Sequence, residues 1–496
     1  MDLDSSAARP VAVAAPSGAA EPVPGVPGRD VPGSVPVGVR PFGWRDKVGY
    51  LSGDLGNDLM FLFASSYLMV FYTNVAGLSA AHVGTLFLAT RLLDAFTDVG
   101  WGRFLDKHTP SRAGRFRPWI ARAALPLVVS SALLYVPFIS DWSYGARLGW
   151  AAATYLLWGS VFYTMVNISY GSLASVITPD STQRSSLSVF RGIGANVAGL
   201  LTALVPPLVL YATVDGVSQV VPSAFVAVGI GLSALSLVFY ALCFGLTRER
   251  VAAPPRAEAR SFGQLVRSLA RNRALLALMS ANLVLMLSSL MVNTVAAYLW
   301  LIYFNNGALS AFSLLAGTLP ALLISPFLPR VVRRFGKKET IVAALAGLAV
   351  IYLGLFALGT QSPAVFIALS MIGGIGLGTY NLLVWAVVGD VVDHEEVRSG
   401  ERDDGTVYAV NTWARKLGLA AAGGLGGYAL AIIGFDSTAT TQSADTVQGI
   451  YTVATLVPGV LYAAAVLIFL LAYPLSRRRV QENTDTLQAR RAAQAS

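Results

Sequence analysis

The chain has 496 residues, of which 55% are hydrophobic and 13% charged, and its mean hydropathy is positive. That balance excludes an ordinary soluble protein and belongs to a membrane protein. A net charge of +9 would suit a nucleic-acid binder, but the placement of the basic residues, set out below, excludes that reading.

Residues 1–44 are dominated by Pro, Ala, Gly and Val and hold no apolar core before a cleavage site. They read as a disordered cytoplasmic tail. From there on, apolar runs of about 20 residues recur, and twelve transmembrane helices are expected, centred roughly on residues 61, 92, 128, 163, 199, 234, 289, 318, 350, 377, 419 and 461. The connectors after spans 2, 6 and 8 carry most of the Lys and Arg, including Arg103, Lys107, Arg112, Arg115 and Arg117, then Arg248 to Arg273, then Arg330 to Lys338. The connectors on the other side offer only Arg147. This asymmetry places both termini in the cytoplasm, and the positive charge orients helices and meets anionic lipid rather than nucleic acid.

The longest charged segment follows span 6 and divides the chain six plus six. A first bundle is expected over 45–247, a linker over 248–273, a second bundle over 274–475 and a second disordered tail over 476–496. Within the linker, Phe262, Leu265, Val266 and Leu269 recur at helical spacing among arginines, which suits a helix lying on the membrane surface. The basic connector after span 2 returns after span 8, so the fold class is an all-α membrane protein of two pseudo-symmetric six-helix bundles with a solute site between them. No phosphate-binding loop is present: "FGKKET" lacks the upstream glycine. His82, His108 and His394 fall near span ends, and the single cysteine, Cys243, lies in a span. No enzyme, no cofactor and a monomeric chain are expected.

The charges inside the spans carry the functional argument. With a rise of about 1.5 Å per residue, Asp94 lies roughly 13 Å above the cytoplasmic edge of a core about 30 Å thick. Asp58, and Lys416 on span 11, come to about 16 Å by the same count. An unpaired charge at that depth costs at least about 2.5 kcal/mol, so such residues face a cavity or a partner. Arg91, Asp94 and Asp98 sit at i, i+3 and i+7 on one helix face. Two carboxylates against one guanidinium leave the negative surplus that a coupling cation needs, whether H+ or Na+. Alternatively Arg91 and Asp94 form a satisfied ion pair, and Asp98 joins Arg103 and Asp106 in a network closing the cytoplasmic side. Asp54, nearer the edge, reads as structural. Tyr163, Thr164 and Asn167 on span 4, Arg191 and Asn196 on span 5, Asn282 and Asn293 on span 7, Tyr380, Asn381 and Trp385 on span 10, and Asn411 and Thr412 on span 11 supply the amide, hydroxyl and aromatic groups a sugar asks for. Aromatic belts and helix-to-helix polar contacts would use the same residue types.

"GYLSGDLGNDLMF", "GTLFLATRLLDAFTD", "GRFLDKHTPSRAGRFRPWI", "WGSVFYTMVNISYGSLASVIT", "GDVVDHEE" and "GTVYAVNTWARKLGLA" occur in this order. Together they resemble the glycoside-pentoside-hexuronide:cation symporter family of the major facilitator superfamily, whose best-known member is the melibiose permease. The resemblance implies import of a sugar or glycoside with Na+ or H+ by alternating access. It implies Asp58 as a sugar-binding aspartate with Arg191, Asn411, Thr412 and Lys416 beside it, and from their residue types Tyr163, Asn167, Asn381 and Trp385 are expected as further substrate-binding residues. Asp94, Asp98, Thr97 and Thr164 are implied at the cation, with Asp94 and Asp98 as the Na+ ligands if the ion is sodium. Arg103, Asp106, Lys107, Asp390 and Asp393 are implied at a cytoplasmic gate. Three positions depart from the permease: Asn167 replaces a span 4 aspartate, Thr97 an asparagine and Gly171 a tryptophan. The lost carboxylate favours H+ over Na+. A lysolipid flippase or a non-transporting nutrient sensor are the competing expectations.

Overall fold

The computed structural model of the protein describes residues 40–111, 113–251, 272–399, 418, 424–437, 439 and 441–495. The first-half helices are α1 (Trp44–Val70), α2 (Ala80–Lys107), α3 (Arg117–Leu133), α4 (Tyr144–Leu156), α5 (Thr164–Ile177), α6 (Ser181–Leu210) and α7 (Pro222–Leu246). The second half has α8 (Arg273–Tyr298), α9 (Ser310–Ile324), the short α10 (Leu328–Phe335), α11 (Lys337–Leu358), α12 (Pro363–Ser399) and α13 (Ala444–Leu467), and α14 (Arg477–Ala495) follows. Among the described residues eight helices are long and apolar enough to cross a membrane. α2, at 28 residues, has the length but carries Arg91, Asp94, Asp98 and Arg103 within it. α4 and α5 form one continuous rod through a π-helical turn, Leu157–Tyr163. The expected eleventh span lies largely outside the described residues; 424–432 is helical.

Within the first half α1 packs on α6 and α7, and in the second α11 and α9 pack on α12, while α13 packs on α8 and α11. The bonds that join the halves, among the described residues, gather at the end remote from Trp44. Thr73 and Tyr298 share a hydrogen bond of 2.7 Å, and Thr85 and Tyr428 one of 2.8 Å. A Cβ on Gly84 would stand 2.7 Å from the Gly424 carbonyl oxygen, so only glycine allows α2 this approach. At the same end an antiparallel hairpin, β1 (Tyr211–Val214) and β2 (Val217–Val220), turns at Asp215 and Gly216, both with positive φ. This is the Asp-Gly turn whose backbone suits a two-residue hairpin loop. Asn305 of the second half clasps it: its amide nitrogen donates to the Gly216 carbonyl at 2.7 Å, and its amide oxygen accepts from Ser218 N–H at 2.7 Å.

At the end that carries Trp44 the first half is tied to itself. Asp46 is fully buried and paired with Arg250, 3% exposed, at 3.0 Å. The Glu249 carboxylate accepts the backbone N–H groups of Arg115, Phe116 and Arg117 at 2.7 to 2.9 Å. A carboxylate there satisfies the orphan donors of the α3 N-terminus and meets its positive dipole. The chain thus stays against the first half as far as Val251, whose N–H bonds Val176. Except for Asn272, the surface helix expected over 261–272 lies outside the described residues, as does the tail expected over 1–44 up to residue 39; Arg40 and Pro41 are instead held by Arg250 and Trp44 opens α1. The segment after 476 differs from expectation, because it is the helix α14 rather than a disordered tail. Its sequence is mostly polar, but Val480, Asn483 and Leu487 share one inward face, with Leu487 buried and Val480 packed on the second-half core. It is held as well by Arg478 and Arg479 on Glu482, by Asn483 beside His394, and by Arg490 donating to the carbonyls of Glu396 and Val397 near the end of α12. The two guanidiniums hold the exposed Glu482 carboxyl below its usual range.

Candidate functional site

A cavity of about 600 Å³ lies between the halves. Asp58, Phe61 and Asn196 line it from the first half, and Asn293, Asn381 and Trp385 from the second. This volume falls within the range of small-molecule sites, about 300 to 1,000 Å³. Of the described lining residues Asp58 alone is charged. The neighbouring pair shows why Arg191 is not its partner. Arg191 Nε donates to Asp54 at 2.9 Å and stacks its guanidinium 5.6 Å from the Tyr170 ring. Asp54 is 3% exposed at its side chain and Arg191 46%. One helical turn further along α1, Asp58 has neither a hydrogen bond nor an ion pair to any described residue and presents acceptor oxygens to the cavity.

Between Asp54 and Asp58 the buried Asn57 joins three helices. Its amide nitrogen donates to Tyr163 Oη at 3.0 Å and to Asn167 Oδ1 at 3.1 Å, while its oxygen accepts from Tyr240 Oη at 3.2 Å. Tyr163 and Asn167, expected at the sugar, are therefore fixed first by Asn57, a residue the sequence reading did not single out.

α2 and the rod of α4 and α5 run parallel in matched register. Ser160 Oγ donates to Asp94 Oδ1 at 2.5 Å, and one turn on Thr164 Oγ1 donates to Asp98 Oδ1 at 3.0 Å. Further along, Trp101 Nε1 donates to Ser169 Oγ at 3.4 Å. Arg91 Nη1 pairs with the other oxygen of Asp94 at 3.1 Å, and its guanidinium stands 5.3 Å from the centre of the Phe61 ring. Thr97, expected as a cation ligand, turns its hydroxyl to its own helix at the Asp94 carbonyl, 3.2 Å away. Two carboxylates, two hydroxyls and one guanidinium form an oxygen-rich cluster. Ser160 was not singled out, although its four-residue spacing to Thr164 matches that of Asp94 to Asp98.

Arg103 and Asp390, expected at the gate, lie apart with different surroundings. Arg103 and Lys107 are exposed, and the Asp106 side chain lies outside what is described. Asp390 is held by Lys337 of its own half at 2.5 Å, and Asp393 is half-buried on the same helix. Asn411, Thr412 and Lys416 lie outside the described residues. Of the second-half residues, Tyr380 is not free for a ligand because it donates to the buried Asn282.

With this geometry in place, similarity to known proteins is informative. The family described as "MFS/sugar transport protein" matches residues 49–477. The glucuronide carrier protein homolog of Escherichia coli K12 is 31% identical over 91% of this chain and 97% of its own length. The putative glycoside/cation symporter YagG of the same organism is 30% identical, over 91% and 96%. Among solved structures, the inward-open xylose transporter XylE from E. coli superimposes with a TM-score of 0.60 over 89% of this chain and 98% of that one, at 13% identity. The last likeness is one of fold. The chain is a transporter of major facilitator fold and belongs to the MFS/sugar transport protein family, in the glycoside-pentoside-hexuronide symporter group that its span motifs resemble.

Proposed function

We propose that this chain imports a sugar, glycoside or oligosaccharide together with a cation by alternating access, with both termini in the cytoplasm. The observation that carries the reading is Asp58, a carboxylate with no partner among the described residues, on the wall of a cavity of about 600 Å³ between the halves. A carboxylate accepts two sugar hydroxyls with charge-assisted bonds, and the amides of Asn196, Asn293 and Asn381 with the Trp385 ring complete a polyol site. The cation belongs at Asp94 and Asp98. H+ is favoured over Na+, because Asn167 withholds a third carboxylate and bonds Asn57 instead. The names of the relatives, a glucuronide carrier homolog and a glycoside/cation symporter, support sugar and cation as the cargo. The bonded seam remote from Trp44 supports a state open toward the cytoplasm, with Arg103, Asp106, Lys107, Asp390 and Asp393 meeting only when the halves rock over. Asn411, Thr412 and Lys416 are proposed to face the same cavity, and one chain suffices for the whole site.

Counterflow in proteoliposomes, with a panel of labelled sugars, a proton gradient and Na+ varied independently, tests the reading. Exchange of a glycoside that a proton gradient accelerates and Na+ does not is the expected result. Exchange of labelled lysolipid without exchange of any sugar would overturn it.

A further inference from the structure

Phe61 stands at three boundaries at once. One turn after Asp58 on α1, it lines the cavity beside that carboxylate. Its ring stacks with Tyr163 at a centroid distance of 5.6 Å and an interplanar angle of 23°. The Arg91 guanidinium lies 5.3 Å from its centre, and the same guanidinium grips Asp94 at 3.1 Å. Tyr163 is anchored in turn by Asn57. A single aromatic ring therefore stands between the cavity and the carboxylate cluster while touching the guanidinium that pairs with Asp94.

We propose that Phe61 is the positioning residue through which sugar occupancy and cation occupancy are coupled. The proposal rests on the reading of the cavity as the sugar site and of Asp94 with Asp98 as the cation site. Arg91 divides its charge between a carboxylate and an aromatic face. A cation arriving at Asp94 competes with Arg91 for that carboxylate, and the guanidinium then leans on the ring, whose negative face attracts it. The ring is thereby held in place as a platform for the apolar C–H face of a sugar next to Asp58. In the other direction, a sugar pressed on the ring fixes the face that receives Arg91, and so eases its release from Asp94. Coupling of this kind is reciprocal by thermodynamic necessity. An aliphatic side chain of similar volume fills the same space but has no such face.

The test measures half-saturating sugar in counterflow with the coupling cation low and then high, for the unaltered protein, F61L, F61M, F61W and F61Y. In the unaltered protein the cation is expected to lower the sugar value by about 5-fold or more, the lower end of usual coupling. F61W and F61Y keep that ratio, while F61L and F61M, with half-saturating sugar raised at both cation levels, bring it to within about twofold of unity. Reversing the roles, sugar should lose its effect on half-saturating cation in the aliphatic pair alone. F61L or F61M with the full ratio would overturn the assignment to Phe61 while leaving the transport reading intact. Absence of any ratio in the unaltered protein would overturn the two-site reading and this inference with it.

Discussion

Arg191 holds Asp54 and leaves Asp58, one turn away on the same helix, to the cavity. The two aspartates are thus separated by environment into one that supports the helix contact and one that meets solute. Replacing Arg191 with Ala strands a carboxylate whose side chain is 3% exposed. Leaving such a group unpaired costs about 1–3 kcal/mol, and the detergent-solubilised protein is expected to melt earlier. The double variant D54N/R191A should recover most of that loss, whereas D58N should melt as the unaltered protein does and lose sugar binding.

The paired hydroxyls of Ser160 and Thr164 make a second prediction. Hydrogen bonds to charged groups contribute about 1.5–3 kcal/mol, and each hydroxyl bonds one carboxylate of the cluster. S160A/T164A is expected to change half-saturating cation by at least about tenfold, which corresponds to about 1.4 kcal/mol. Sugar exchange without an ion gradient should continue. Uptake driven by an imposed gradient against equilibrium exchange in the same vesicles separates the two effects.

Substrate charge follows from the cavity wall. Asp58 is its one charged residue among those described, and two like charges 4 Å apart repel by about 4 kcal/mol at an effective dielectric of 20. A neutral aryl glycoside should therefore compete for exchange at least about tenfold better than the matching glucuronide. Equal competition by the two would mean that another cation, such as Lys416, dominates the field in the cavity.

The approach of α2 at Gly84 predicts a conformational effect. With the Gly424 carbonyl oxygen 2.7 Å from where a Cβ would stand, Gly84→Leu cannot keep the far seam closed. Cysteine placed at Asn293 should then react with an impermeant thiol reagent from the side remote from the termini. The rate should rise at least about fivefold, the factor given by about 1 kcal/mol in a two-state balance.

What was legible in the sequence was whatever the bilayer enforces. Apolar length revealed the helices, and the cost of charge in hydrocarbon revealed Asp58, Arg91, Asp94 and Asp98. The face shared by Arg91 and Asp94 is the ion pair that the i, i+3 spacing allowed. Partner choice was not legible, because it depends on how neighbouring helices are rotated and staggered. Ser160 is one hydroxyl among several in "WGSVFYT", and Asn57 is hidden between two louder aspartates. Arg250, counted with the lipid-facing basic residues, is buried on Asp46. α14 escaped notice because its apolar face is only Val480 and Leu487, set among many charges.

The clasp of Asn305 on the hairpin uses only main-chain atoms of Gly216 and Ser218. Its strength is therefore indifferent to which side chains the hairpin displays and depends on the shape of a two-residue bend. Relatives could alter every outward-facing group on that ribbon and keep the same fastening. A change in bend length by one residue would carry both acceptor and donor out of the reach of Asn305 together, and that fastening would be lost in a single step.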